Sequence, residues 1–396
     1  MSLSAREQIA KTYLEAQGNK LTDLAKAVIN QNGFIDDGWL QAQCNFSGYS
    51  ILTTAYQILL ETPTSVLQAL ICGDLPKMAG HADLRRLQCD EYTAVPHSPT
   101  TRHPIIYAIY FVNKSTNEPP TVSDLYQIIP RVRQVASAAV PPNSAALRLT
   151  TALETQIMGC SPPSLLARGL VDVGYAGNGI QRLQQHYNGV SSNEVMQLYR
   201  HAATHIFGQK YCLRGFIICK LRKLGYCALA EVIFSRLTQS YISCGGGFNG
   251  VTAGFSIPSA QNLSSVAWEE IAAVRPSDIY TRNLAEDMDK MKAESTANRD
   301  VEEHWKNLPE TRALQDCVIE MLPKEAREKI QGLGKAPQQQ DSEGESLVRD
   351  RAADNPSQVD SSGTPVPGRP FAGSYESQDD DDDDSVEDSD AIVYRY

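Results

Sequence analysis

The stretch Tyr211–Tyr226, YCLRGFIICKLRKLGY, sets Arg214, Lys220, Arg222 and Lys223 into one of the most apolar runs of the chain, with no acid among them. Read at a period of 3.6 residues it predicts a helix. Lys210, Arg214, Ile218 and Arg222 then fall at i, i+4, i+8 and i+12 on one stripe, with Cys212, Phe216, Cys219 and Lys223 toward the opposite side. The stripe is expected to face a groove, and the Cys-Phe-Cys side a core. Lys220 and Lys223 lie off the stripe, so one straight helix presents only part of the charge.

Working outward, the pattern stays mostly helical. Residues 5–30 place Ile9, Tyr13, Leu14, Leu21, Leu24, Ala25 and Val28 at spacings of three and four, and Ser50–Leu60 and Thr64–Ile71 continue it. Asp83–Cys89 and Thr121–Ile129 read as short helices, the second opened by the Thr121-Val-Ser-Asp124 cap signal. Pro104–Val112, PIIYAIYFV, is β-branched and aromatic and fits either a strand or a buried helix. Pro130, Pro141 and Pro142 place a boundary near 140–150. Helical patterning resumes over 144–260, with a capped helix starting at Ser192, and over 265–330. The glycine-rich Cys244–Gly254 segment reads as a mobile loop. The expected organisation is therefore 1–145 as a first helical lobe with an N-terminal arm, 146–335 as a second, and 336–396 as a tail. The tail is rich in Gln, Ser, Asp and Pro and poor in large apolar residues, a composition too poor in burial to offset ordering entropy.

Charge is distributed unevenly. The chain of 396 residues carries a net charge of −11. Residues 101–260 hold 14 Lys/Arg against 6 Asp/Glu, whereas residues from 336 onward hold 4 against 16, including six consecutive aspartates at 379–384. A basic middle and an acidic end point to a polyanion partner for the middle and a solvating or interaction role for the tail. Phosphate suits spaced cations, because each contact releases counterions without requiring a particular base. Arg131, Arg133, Arg148, Lys210, Arg214, Lys220, Arg222, Lys223 and Arg236 are the candidates, with Arg182 and Arg200 adding charge nearby. The alternative is that these are ordinary surface charges on apolar stems.

The motifs of catalysis are missing. Gly174-Tyr-Ala-Gly-Asn-Gly179 lacks the GxGxxG spacing and reads as a turn, and Gly245–Gly247 has no Gly-Lys-Ser/Thr after it. His201 and His205 share a helical face without the glutamate that HExxH zinc chemistry needs. The aspartate run reads as a solvated tail, since it lacks the turn residues of an oxygen cage. No nucleophile elbow or cysteine-peptidase signature accompanies the Ser, Cys and His residues. The nine cysteines include no CxxC pair and read as reduced thiols. No enzyme, metal or cofactor is expected. No apolar run approaches the ~20 residues that span a bilayer, and the N-terminal residues lack the apolar core of a signal peptide.

The helical core, basic middle and acidic tail together resemble the nucleoprotein of a non-segmented negative-strand RNA virus. The local pattern Lys210-x-Cys212, Phe216-x-x-Cys219-Lys220 and Gly225 resembles the central region of rhabdovirus-like members, whereas the aromatic-Ser-Ala-Met-Gly signature of paramyxovirus members is absent. The resemblance implies a mainly α, two-lobed protein that clamps single-stranded RNA in a cleft and exchanges terminal arms with its neighbours. It implies a homo-oligomeric helical nucleocapsid in the virion and host cytoplasm, serving as template for the viral polymerase and its phosphoprotein cofactor. The tail would dock such a partner through Ile392, Val393, Tyr394 and Tyr396, and Ser377 and Ser385, each with an acid three residues on, suit an acid-directed kinase. The runner-up is a helical capsid or scaffold protein that assembles without a need for RNA.

Overall fold

Tyr211–Lys220 is a strand, not a helix. In a computed structural model of the chain, the residues described are 4–89, 103–190, 193–254, 262–273 and 278–307, excepting the side chains of 43–50 and 301–307. The tail residues named above, Ser377, Ser385, Ile392, Val393, Tyr394 and Tyr396, lie outside them. In chain order come α1 (Ala5–Asn19), α2 (Leu21–Asn30), α3 (Asp37–Leu60), α4 (Thr64–Cys72), α5 (Ala82–Gln88), β1 (Ile105–Asn113), α6 (Val122–Ala138) and α7 (Ser144–Ile157). They are followed by β2 (Leu170–Ala176), α8 (Gly179–Asn188), α9 (Glu194–Phe207), β3 (Tyr211–Lys220), α10 (Cys227–Thr238), α11 (Ser265–Ala273) and α12 (Asp278–Asn307). The protein is mainly helical, with one small sheet.

That sheet is antiparallel, in the order β2-β1-β3. Its two faces are both covered. Ile106, Ala108, Tyr110 and Val112 of β1 face a core built with α1–α5 and α10, whereas Ile105, Tyr107, Ile109 and Phe111 face a second core built with α6, α7 and α9. This double burial explains the misreading of 211–220. A strand covered on both faces has no polar face, so the period-2 alternation that marks a half-exposed strand is erased. An irregularity opposite Ile106/Tyr107 lets Ile218 bulge out of register, so Phe216 and Ile218 reach the first core and Ile217 the second. Pro104–Val112, likewise covered on both faces, supplies the central strand.

Several helices form where the pattern places them. Thr121 caps α6 by accepting the Asp124 amide at 3.1 Å, and Asn193 caps α9 by accepting that of Met196 at 3.0 Å. Helix α6 runs through Pro130 to Ala138 rather than stopping near Ile129. The expected boundary near 145 falls in the first turn of α7, and β1, from the first expected lobe, pairs with two strands from the second. The described residues up to Val301 belong to one compact unit. Among the described residues no helix is long and apolar enough to cross a membrane.

The glycine-rich segment is packed against the free edge of β2. Val171 donates to the Gly246 carbonyl at 3.2 Å and accepts from Phe248 at 3.0 Å, while the Asn249 side chain pairs with both backbone groups of Val173. A Cβ on Gly247 would overlap the carbonyl oxygens of Val171 and Ser240, and one on Gly246 that of Gln239. Glycine is needed here for close backbone approach. Gly247→Ala is expected to cost about 2–3 kcal/mol, as overpacking does, read as a lower urea midpoint at unchanged m-value.

Candidate nucleic-acid interface

Loss of the helix dissolves the expected stripe. On β3, Arg214 lies half-buried opposite Tyr110, Ile218 is in the core, and Lys210 and Arg222 stand beyond the strand's two ends. Lys220 is buried, and its Nζ donates to the Cys89 carbonyl at 2.6 Å. Arg222 is 9% exposed, and its Nε meets Glu61 Oε1 at 2.9 Å. Arg236 is 1% exposed and held by Asp36 and Asp37. Burial takes Lys220, Arg222 and Arg236 out of the set of cations that present charge at the surface. Sequence alone could not separate them, because a buried arginine and a surface arginine look identical until their acid partners are known.

The other six reach the surface in two places and singly. On α6 and α7, Arg133 pairs with Glu154 at 2.6 Å, Arg131 bonds Gln134 at 2.8 Å, and Arg148 is exposed. At the far end of β1 and β3, the Lys114 amide donates to the Lys210 carbonyl, and both Lys114 and Arg214 lie close enough to Cys212 to act on its thiol electrostatically. Burial is the larger influence there and pushes that thiol up. Lys210 Nζ bonds Asp124 at 2.7 Å and sits over the Phe207 and Tyr211 rings. Lys223 is exposed over the Tyr226 ring.

Burial also removes acids. Asp124, Asp172 and Glu231 are all buried, so the six acids of 101–260 leave only Glu118, Glu154 and Glu194 at the surface. Of the fourteen cations in that span, three are buried and Arg102 lies outside the described residues. Ten remain wholly or partly exposed: Lys114, Arg131, Arg133, Arg148, Arg168, Arg182, Arg200, Lys210, Arg214 and Lys223. The excess of cations therefore stays near its sequence value, 10 against 3 at the described surface beside 14 against 6 in the sequence, while the ratio of cations to acids rises.

A wide opening lies apart from these cations, Arg182 excepted. A cavity of about 1330 Å³ is bordered by the end of β2, the start of α8, the cap of α9 and residues of α10 and the glycine-rich segment. It is wider than the ~300–1,000 Å³ of most small-ligand pockets. Asp172 accepts from Asn193 at 2.7 Å, Glu231 accepts from the Gly254 amide at 2.9 Å, and Tyr107 and His186 share a hydrogen bond of 3.0 Å. Burial pushes the Asp172 carboxyl up to about 7, against the pull of Asn193 and Arg182. It pushes Glu231 up to about 7 as well, with the Gly254 amide opposing and Asp172 adding to the rise. Burial, helped by Arg182, holds His186 down at about 3, so its imidazole is neutral.

No family model, curated protein or solved structure matches this chain.

In the sequence Gly174–Gly179 reads as a plain turn and gives no sign of this cavity. The segment joins β2 to α8 as strand, loop and helix. The antiparallel sheet still excludes a dinucleotide fold, whose sheet is parallel. His201 and His205 are exposed one turn apart on α9, and no cluster of three His, Cys, Asp or Glu able to hold a metal occurs among the described residues.

Proposed function

We propose that this protein encapsidates single-stranded RNA as a homo-oligomeric nucleoprotein, with the basic surface of residues 101–260 on the phosphates and the acidic tail kept off them by its own charge. The observation that carries the reading is the surface ratio of ten cations to three carboxylates. An ordinary soluble surface mixes both signs, and an excess of exposed cations over exposed acids in this span suits a polyanion. The scattered placement of the cations fits backbone binding, which is additive over contacts and independent of sequence. The two-lobed clamp and exchanged arms belong to this proposal, as do a polymerase cofactor at the tail and residence in a virion.

Purified protein is expected to carry RNA, visible as high absorbance at 260 nm, and to form rings or filaments that ribonuclease disrupts. Reversing three surface charges together, Arg131→Glu, Arg148→Glu and Lys223→Glu, should cut RNA retention at least tenfold at 150 mM salt. The far-UV circular dichroism should not change, because none of the three sits in a core. Full retention in that variant, or nucleic-acid-free monomers at low salt, would sink the proposal. Assembly that survives ribonuclease unchanged would favour the scaffold reading.

A further inference from the structure

Three of the six acids of residues 101–260 border the one cavity, Asp172 from β2, Glu194 from α9 and Glu231 from α10, beside one of the fourteen cations, Arg182. A basic span has gathered half of its carboxyls around a single opening. Arg182 is engaged elsewhere: it bonds Gln185 at 3.1 Å and the Tyr107 hydroxyl, and acts on Asp172 through space. Asp172 and Glu231 are both more than nine-tenths buried. Among the described residues each carboxyl makes one hydrogen bond, from Asn193 or from Gly254, which leaves its second oxygen without a partner. Neither of those oxygens is sealed off from solvent, and both side chains border the cavity, so the unpartnered oxygens open onto it. A desolvated carboxyl short of partners is costly, and a bound cation offsets that cost.

The two carboxyls stand on different elements, near enough for Asp172 to raise the Glu231 carboxyl. A ligand with two spaced positive charges therefore meets both. Ala145, Val173, Phe248, Val251 and Leu263 add apolar surface to the same walls. A metal ion suits the site less, because the cavity of about 1330 Å³ far exceeds an ion and no third His, Cys, Asp or Glu completes a ligand set among the described residues. We propose that this cavity binds a polyamine, with one ammonium at Asp172, another at Glu231 and the methylenes between them along the apolar wall. The inference does not rest on the encapsidation reading.

Spermidine is the probe, added to the full chain freed of nucleic acid by ribonuclease and high-salt washing. At pH 8 calorimetry should show a saturable site, and a saturating concentration should raise the urea midpoint. Combining Asp172→Asn with Glu231→Gln should abolish both effects, and each change alone should weaken binding at least tenfold. Circular dichroism checks that the variants fold. The six aspartates at 379–384 also attract polycations, but these variants leave them unaltered and they cancel from the comparison. Binding by the unaltered protein should weaken at least tenfold from pH 8 to pH 6. Burial holds Asp172 and Glu231 at about 7, so the site must shed protons to take the cation. Tyr107, Tyr175, Arg182 and Glu194 also face the cavity, as does His186, whose imidazole is neutral at both pH values. An unmoved midpoint, an equal shift in the double variant, or equal affinity at the two pH values overturns the proposal. Equally tight binding of N-acetyl-lysine amide overturns it too, since one ammonium would then suffice. RNA retention, which the surface cations supply, judges the encapsidation reading separately.

Discussion

Arg236→Ala is expected to destabilise the protein by about 3–5 kcal/mol, the usual cost of stranding one partner of a buried ion pair. The guanidinium is 1% exposed and fully committed. Its Nε donates to Asp36 Oδ1 at 2.7 Å, one terminal nitrogen bonds Asp36 and Asp37, and the other donates to the carbonyls of Val28 at 3.0 Å and Gln31 at 2.8 Å. Phe34 lies 5.0 Å below it, and Tyr241 donates to the second oxygen of Asp36. Alanine would leave Asp36, which has no exposed surface, with a buried charge and two carbonyls without their donor. The network ties α10 to the end of α2 and the start of α3, so its loss would release the N-terminal helices from the first core. Arg236→Lys should recover little, since a point charge cannot span acceptors that a planar fork reaches. Adding Asp36→Asn to Arg236→Ala should recover part of the loss, because it removes the stranded charge. Urea midpoints for the four proteins measure this, and a single-variant loss below ~1 kcal/mol would contradict the network. Any RNA lost by Arg236→Ala should be lost through unfolding, in contrast to the surface triple variant.

What the sequence made legible follows from how each element meets water. Helices α1, α2, α4 and α6 each keep a polar face, so their apolar residues repeat at three and four and their caps stand out, Thr121 most clearly. Strands β1 and β3 keep no polar face, and so Tyr211–Lys220 read as a helix whose cations made a stripe. The stripe was an artefact of the wrong period. The cations themselves were informative in bulk, as the surface excess of 101–260 shows, but not singly. Arg222 needs Glu61 and Arg236 needs Asp36, partners 161 and 200 positions away, and no local pattern announces such a pair. The cavity was hidden for a related reason: Asp172 and Glu231 are single polar residues in separate apolar segments, and Asn193 belongs to a polar helix start, the three joined only by the fold.

Those same residues make stability depend on pH in an unusual direction. Asp172 rises from 3.8 to about 7 on folding and Glu231 from 4.5 to about 7, whereas His186 falls from 6.5 to about 3. Between pH ~4.5 and ~6.5 the folded chain therefore holds two carboxyl protons that the unfolded chain has lost, and lacks one imidazole proton that the unfolded chain keeps. The folded state binds about one proton more, so its stability should fall by about 1.4 kcal/mol per pH unit as pH rises. Above ~6.5 the imidazole no longer counts, and the fall steepens until the carboxyls ionise near 7. Below ~4 the sign reverses, because His186 must stay neutral and the depressed carboxyls of Glu7, Asp83 and Asp124 are being protonated. The maximum should lie near pH ~4.5, more acidic than the common range of about 5–8. Asp172→Asn keeps an oxygen for the Asn193 amide and removes the charge, so it should stabilise the protein at pH 8 by about 2–4 kcal/mol. With Glu231→Gln added, the slope between pH 5 and 7 should reverse, leaving the rise that His186 alone produces. Urea unfolding at half-unit steps from pH 4.5 to 8 reads this directly. A wild-type curve that climbs toward neutrality would show that Asp172 and Glu231 are ionised in the folded protein, with water or a cation reaching the floor of the cavity.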